Sequence, residues 1–487
     1  VGIIVFNNGK LGSHGSMGQY DGEKIPGDLD NWNVLSLDAN KKFYNKYGLM
    51  SERSATLYHT YGPVKAAVDK QTQYAIGNGL LFRSQPSWRM IPGFSRDDAK
   101  EWGREAQQII HYYFNMFDFY DKQIPLFSGA LTTGDALLFF IREGGKLSDL
   151  VEFGGDQINW SHTRAISDNI GYTLGIKHDQ LLRPLGIMKY DTKDIDFNDS
   201  VGNANLLQFM IKEQPRQLRG NPLAYAIINL AKNDDRHHDA TVARAIIESI
   251  LIGSFETDVT DPARQTRGFA ARNKAKVQGD DNTSGFVEKV ANFFNLGAGN
   301  MYKFRKGESM KFNDLKTPSN NFGEFKQWIL NYIGAATGTP AQVITSRYET
   351  SYTSHKGAFN DFIKSYTYKR KMFERNVMNV VVKECLKDAI LNGLISAPGF
   401  FDNPMIHYAY CQGSYLGPVP GAINPVQEAN ANEKNVKNAF VTRSDIASLH
   451  GNEFDNMINE WGDQEKEWFD KNPEKQAKFI QSQEVGR

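Results

Sequence analysis

The residues whose types most suggest chemistry sit in "NDDRHHDAT", where Asp234, Asp235, His237, His238 and Asp239 crowd together. Carboxylate and imidazole are ligands for divalent metals, and Asp234, Asp235, His238 and Asp239 would be the set of a metal-dependent nuclease. Their spacing opposes it. The surrounding pattern is helical, and adjacent helical positions point about 100° apart, so neighbours do not converge on one ion. Asp235 shares a face with His238 or Asp239, giving two or three ligands at best. No H-E-x-x-H pair and no Cys/His pairing adds to them. The plainer reading is a solvated polar band between two apolar helical halves, and no metal residue is assigned.

No other catalytic pattern is legible. There is no G-x-x-x-x-G-K-[ST] phosphate loop; "GGKLS" has the lysine without the spacing. There is no G-x-S-x-G nucleophile elbow. The 10 histidines and the scattered carboxylates mark no acid–base pair. The chain is expected not to be an enzyme, with no catalytic residue and no cofactor. Carboxylate nucleases often lack compact signatures, so the nuclease stays as an alternative.

Two stretches suit contact with an anionic partner. "RQTRGFAARNKAK" carries Arg264, Arg267, Arg272, Lys274 and Lys276 with no acid between them, a local positive patch or a solvated turn. "TGTPAQVITSRYETSYTSHKGAF" follows a helix broken at Gly334, Gly338 and Pro340, then presents Thr345, Ser346, Arg347, Tyr348 and Tyr352 before another helix begins. Arg347 and Tyr348 could meet a phosphate and a sugar; the alternative is an ordinary helix connector.

The whole chain must position these groups. Its 487 residues are enough for about three domains, and 40% hydrophobic with 12% aromatic is the composition of a folded protein. Lys plus Arg and Asp plus Glu are 56 each, so the formal charge is zero, which excludes a simple, strongly cationic nucleic-acid binder. No apolar run approaches the roughly 18 residues of a membrane helix. Cys385 and Cys411 are the only cysteines, too few for a disulfide scaffold, and they suit a reducing cytosol. The opening "VGIIVF" is too short for a signal-peptide core, and the lack of a starting Met leaves upstream sequence open.

Residues 1–55, rich in Gly, Asn, Asp and Lys, read as an extended arm. Val64, Ala67, Val68, Gln71, Tyr74 and Ala75 have helical spacing, closed by Gly77 and Gly79. A second helix is expected from Asp98 to Phe114. Short apolar runs and Gly/Asp turns make 131–190 a β-rich insert. A long helix is expected after Pro222, whose missing N–H is harmless in a first turn. Another follows, with Asn321 and Glu324 as cap and N3 pair and Phe322, Phe325, Trp328, Ile329, Tyr332 and Ile333 as its apolar stripe. A long helix from Ser354 to Asn392 buries Phe359, Phe362, Ile363, Tyr366, Phe373, Val377 and Val381, and Gly393 ends it. "GFFDNPMIHYAYCQGSYLGPVPGAINPVQEANA" reads as loop with one strand. Asn424, Pro425 and Gln427 start a helical, increasingly charged tail.

The order of five strings resembles the lambda-type bacteriophage portal proteins. "YGPVKAAVDKQTQYAIGNGLLF" looks like that family's early helix and Gly-x-Gly turn, "GIKHDQLLRPLGIMKY" like its strand pair, and "QPRQLRGNPLAYAI" like its Gln-x-Arg-Gly-x-Pro lead-in to a helix. The run from "LGAGNMYKF" to "SYTSHKGAF" matches best, with its Gly-Glu turn, its proline before a helix, its small-residue break and its Y-x-x-x-Y-[ST]-S. "GAINPVQEANANEKNVKNAFVTRSDIASLHG" resembles the C-terminal Asn-Pro-x-x-Glu segment. The resemblance spans about 60–460. It departs at Leu296–Gly297 and in lacking a tryptophan before the Asn-Pro segment, and the arm and tail have no counterpart.

The resemblance implies an α+β, mainly helical portal fold, with wing, stem, clip and crown around a central channel. Residues 1–55 would be the arm, 56–215 wing, 216–253 the first stem helix and 254–316 the clip. Residues 317–338 would be the second stem helix, 339–353 the tunnel loop, 354–423 a wing helix and return, and 424–487 the crown. The implied function is a ring at one capsid vertex, usually of twelve copies. Double-stranded DNA would be packaged through it by the terminase and later ejected, and the head–tail adaptor would attach to it. Thr345, Ser346, Arg347, Tyr348 and Tyr352 would line the channel, without base readout, with Gly334, Gly338 and Pro340 as hinges. Arg264, Arg267, Arg272, Lys274 and Lys276 would lie on the clip facing terminase or adaptor. The major capsid protein is a further implied partner, and no membrane is involved. Assembly would take place in the host cytoplasm. The alternatives are another DNA-handling virion ring, such as a head–tail adaptor, and the nuclease.

Overall fold

A computed structural model of the chain describes residues 40, 46–167, 169–190, 194–250, 254–257, 308–311, 322–347, 352–418, 425–449 and 454–471. It is α+β and mainly helical. Helix α1 (Tyr47–Thr60) runs into α2 (Gly62–Ala75), where Pro63 fits the first turn because its missing N–H is unneeded there. The chain then forms β1 (Leu81–Ser84), α3 (Arg96–Met116) and α4 (Phe119–Thr133). Ser95 caps α3: its hydroxyl accepts from Asp98 N–H, while the Asp98 carboxylate accepts from Ser95 N–H. A capping box of this kind stabilises a helix by about 1 kcal/mol.

The segment expected to be β-rich over 131–190 is so from Asp135 onward, residues 131–133 closing α4, and it continues past 190. Strands β2 (Asp135–Glu143) and β3 (Lys146–Gly154) form a hairpin. A meander follows: β4 (Arg164–Ser167), β5 (Ile170–Thr173), β6 (Ile176–His178), β7 (Pro184–Met188) and β8 (Asp194–Asp196), in sequential antiparallel order. Strand β9 (Leu206–Met210) then returns beside β2, with Asp135 opposite Met210. The run "DALLFFI" is apolar without alternation because β2 is covered on both sides. Ala136, Leu138 and Phe140 face the helical core, while Leu137 and Phe139 join Ile158, Ile176 and Ile187 beneath the meander.

Helix α5 (Ile228–Ile250) begins six residues beyond Pro222, so the proline precedes the helix rather than occupying its first turn. Strands β10 (Ser254–Thr257) and β11 (Glu308–Lys311) pair antiparallel, with Ser254 opposite Lys311. Helix α6 (Phe322–Thr337), short α7 (Ala341–Thr345) and long α8 (Tyr352–Phe373) follow. Helix α8 continues through a π turn, Glu374–Met378, into α9 (Asn379–Leu391), ended by Gly393 at φ 73°. The stretch read as loop holds α10 (Pro404–Tyr410), capped by Asn403 with Pro404 in the first turn, before β12 (Gly413–Leu416) pairs with β1. The tail is helical: α11 (Pro425–Lys437), α12 (Arg443–Leu449) and α13 (Phe454–Lys471).

Two cores matter for the site. The larger joins α3, α4, β2, β9, α8 and α9 through Phe114, Phe127, Leu138, Phe209, Phe362, Phe373 and Val381. The smaller joins α1, α2, α6 and α7 through Leu57, Val64, Ala67, Ile329, Ile333 and Ile344. Residues 47–55 belong to α1, where Tyr47 and Met50 are buried, so an extended arm cannot include them.

Candidate functional site

The turn after α6 is where the sequence places its hinge, and the geometry there is tight. Gly338 has φ 70°, a left-handed conformation that a side chain would strain. A Cβ added to it would lie 2.6 Å from Ser365 Oγ on α8. Gly334 receives Thr339 N–H on its carbonyl at 3.1 Å, and a Cβ there would stand 2.9 Å from the Thr339 carbonyl. Pro340 sets the start of α7, since its ring fixes φ near −65° and its carbonyl accepts from Val343 and Ile344 N–H. Gly334, Gly338 and Pro340, the residues expected to be hinges, therefore stand where the chain folds back against the end of its own helix.

The segment expected to be one open loop has two parts. Thr339 is fully buried, and α7 is a wedge: Val343 enters the larger core and Ile344 the smaller. Exposure begins at Thr345 and continues through Ser346 and Arg347. Ser346 takes a left-handed φ of 53°, ending α7, and Arg347 N–H donates to the Gln342 carbonyl at 3.2 Å. Tyr348 lies outside the described residues. Tyr352 is the first residue of α8, its side chain outside what is described.

Polar side chains below the turn hold it. Gln71 Nε2 donates to the Thr337 carbonyl at 2.6 Å and to Thr339 Oγ1 at 2.9 Å. Lys369 Nζ, on α8, donates to Gln71 Oε1. Burial pulls the Lys369 ammonium down to about 8, with Glu213 acting weakly the other way. The adjacent Arg370 donates to the Ala75, Tyr74 and Pro418 carbonyls. Sequence reasoning missed Gln71, Thr339 and Lys369 as a unit. The available signal was Gln71 itself, a polar residue inside an otherwise apolar helical stripe.

The metal-like string resolves into structural contacts. Asp234 is buried; its carboxylate accepts from Tyr61 Oη at 2.7 Å and pairs with Lys326 Nζ of α6 at 2.6 Å. Burial, with the Asp234 carboxylate beside it, raises the Tyr61 phenol far above its usual range, so it stays a donor. Asp235 pairs with Lys232 one turn back. His237 stacks on Phe322 and meets the edge of Phe325, with ring centroids 5.9 and 5.3 Å away. Among the described residues, no three His, Cys, Asp or Glu side chains come together as a metal site. Asp234 ties α5 to α6 and to the start of α2.

The α6 stripe divides. Ile329 and Ile333 are buried in the smaller core, but Phe325, Trp328 and Tyr332 are 44, 55 and 50% exposed. These three form a ladder along one face, Phe325 to Trp328 at 6.4 Å and Trp328 to Tyr332 at 5.9 Å between ring centroids. Arg264, Arg267, Arg272, Lys274 and Lys276 lie outside the described residues, and so does Asn321.

Over residues 26–370 the sequence matches the family model described as phage portal protein, lambda family. The chain belongs to the lambda family of phage portal proteins. The match begins inside the segment read as an arm without counterpart and ends within α8. Among curated proteins, the portal protein of Escherichia phage N15 is 20% identical over 420 residues, covering 80% of this chain and 77% of that protein. Portal protein B of Escherichia phage lambda is 19% identical over 407 residues, covering 77% of this chain and 75% of that one. Among solved structures, a chain from the virion of a native gene transfer agent particle is 12% identical with a TM-score of 0.43, over 83% of this chain and 93% of that one. A portal protein of the HK97 family from Corynebacterium diphtheriae is 11% identical with a TM-score of 0.25, over 65 and 85%. The function implied by the resemblance, portal protein of a tailed bacteriophage, thus stands on the family match and both curated relatives.

Proposed function

We propose that this portal protein forms a closed ring, twelve copies being the number the family resemblance implies, at one vertex of the capsid. Double-stranded DNA is packaged through it by the terminase and later leaves by the same path. The observation that carries the reading is the exposed Phe325–Trp328–Tyr332 ladder on α6, whose opposite face is already buried within the chain. A helix apolar on both sides needs a second partner. Copies related by rotation supply one, and heterologous contacts that close make a ring.

In this reading α5 and α6 are the stem, locked together by Asp234 and Lys326. The pairing of β10 with β11 supports a clip that leaves and rejoins the body at one point, with Arg264, Arg267, Arg272, Lys274 and Lys276 in between as contacts for terminase or adaptor. The major capsid protein surrounds the ring, which is assembled in the host cytoplasm and carried in the virion. The channel surface begins at Thr345, Ser346 and Arg347 and continues with Tyr348 and Tyr352. One arginine per subunit suits DNA that must slide, because each neutralised phosphate steepens the salt dependence of binding.

Electron micrographs of the purified protein, averaged down the symmetry axis, should show a ring with a hole of duplex width. A stable monomer at micromolar concentration across several salts contradicts the proposal. Replacing Arg347 and Tyr348 by Ala should leave the ring assembled and alter DNA packaging or retention. Loss of assembly instead would make this segment a packing element.

A further inference from the structure

A cavity of about 320 Å³ opens between β1 and the first half of α3, away from the hinge and the stem ladder. Its lining is strongly one-signed. Arg83, Arg96, Lys100 and Arg104 contribute four cations, and no carboxylate lines it. Three of them, Arg96, Lys100 and Arg104, repeat every fourth residue along α3, and among the described residues none of the three pairs with an acid. Like charges at that spacing weaken a helix slightly, which a bound anion would reverse. Arg83 is buried at the base, 9% exposed, and Ser84 Oγ beside it is enclosed without a hydrogen-bond partner among the described residues. The walls are fixed: a Cβ on Gly103 would stand 3.2 Å from Pro86 Cδ and 3.4 Å from the Ser84 carbonyl, so α3 lies close on the strand end. Trp88 supplies a flat apolar side, 38% exposed.

We propose that this cavity is a binding site for a phosphate group carried by a nucleotide or a nucleic-acid strand. The guanidinium forks of Arg96 and Arg104 match phosphate oxygens in pairs, and the Lys100 ammonium between them adds a third charge. A planar ring in the lining, with the Arg89 guanidinium 5.3 Å from its centre, offers its other face to the base of the same nucleotide, because base stacking on an aromatic is sequence-tolerant. The volume accommodates more than a bare oxyanion. The two sources share one chemistry and are separated by the test.

The test is calorimetric titration of the full-length assembled protein with AMP and with a ten-nucleotide oligothymidylate, at low and at physiological salt. Binding should weaken as salt rises. The double variant Lys100→Gln/Arg104→Gln should bind either probe at least 10-fold more weakly, with Arg96→Gln as a second variant and thermal melts confirming the fold of each. Tighter binding of the oligomer than of AMP assigns a nucleic-acid strand; equal binding assigns a free nucleotide. The proposal is overturned if neither probe binds at millimolar concentration in low salt, or if the variants bind as the wild type does. It is equally overturned if the variants change the oligomeric state and no probe binds the wild type, since the cations then face a neighbouring copy.

Discussion

Asp135 Oδ2 lies 2.7 Å from Arg219 Nε, and both side chains are withdrawn from water, 0 and 3% exposed. The pair is fully served. Arg219 Nη1 and Nη2 donate to the Leu174 and Gly155 carbonyls at 3.0 and 2.9 Å, and its guanidinium lies 4.5 Å from the centre of the Tyr47 ring. Asp135 accepts further from Gln208 Nε2, from Gly220 N–H and from the Tyr47 hydroxyl. One buried centre thus fastens α1, β2, the meander and β9. A buried ion pair adds little over an apolar substitute, but an orphaned partner is costly.

Arg219→Met should therefore destabilise the protein by roughly 3–5 kcal/mol, because Asp135 is left charged in a dry site. Urea unfolding followed by tryptophan fluorescence measures it. A midpoint equal to that of the wild type would show that the pair is dispensable.

The α6 ladder predicts a separation of folding from assembly. Phe325→Ser with Trp328→Ser should change protomer stability by no more than about 0.5 kcal/mol, as surface changes usually do. The same variant should abolish rings in size-exclusion chromatography with light scattering. Intact rings would place the ladder on the outside of the assembly.

Gly338→Ala puts a methyl group into a left-handed conformation and against Ser365 Oγ. The expected loss is about 1–3 kcal/mol. Hydrogen exchange should report it as faster opening across residues 334–345, with β2 and β9 unaffected.

Lys369 makes stability depend on pH. Its folded pKa of about 8 lies below the 10.5 of a free lysine, so between these values the unfolded chain holds more protons and stability rises with pH. Below about 8 the burial penalty is fully present. In Lys369→Met this rise, roughly 1–2 kcal/mol between pH 8 and 10, should be absent from the difference between urea midpoints. Parallel wild-type and variant profiles would contradict it.

Asp234→Ala should lower stability by about 1.5–3 kcal/mol by removing a charge-assisted contact to Lys326 and the acceptor for Tyr61. Millimolar Mg²⁺ should shift the melting temperature of neither protein, and neither should cut DNA. Metal-dependent cleavage lost in the variant would revive the nuclease reading.

Much of this architecture is visible in residue spacing. The α2 stripe, the α8 stripe and the hairpins announce themselves because periodicity reflects which face is buried. Helix α1 does not, since its buried set (Tyr47, Met50, Ser54, Leu57) mixes polar and apolar residues. Helix α4 is hidden for another reason: Pro125 sits inside it, and Phe119, Leu126, Phe127 and Leu131 are buried on several sides. At α6 the stripe is correct as chemistry and ambiguous as geometry, because spacing cannot say whether Trp328 meets its own chain or another surface. Arg219 stands in the quoted "QPRQLRGNP", yet nothing local reveals that its partner is Asp135, 84 residues away. Thr339 and Gln71 meet across 268 positions, which no local pattern encodes.

The π turn at Glu374–Met378 sets the phase of the longest helical run among the described residues. Across and after it, Phe373, Val377, Val381, Cys385 and Ala389 repeat every fourth residue and are all buried, whereas an ideal α-helix advances 3.6 residues per turn. Strict fours would carry such a seam around the cylinder by about 40° at each step. One widened turn takes up part of that drift, as an inserted residue does in a π bulge. The rod works as a crankshaft: Phe362, Tyr366 and Phe373 before 374 and Val381, Cys385 and Ala389 after 378 are indexed to the same wall, and cutting out a single residue between them would turn the whole C-terminal half about 100° off its bearing.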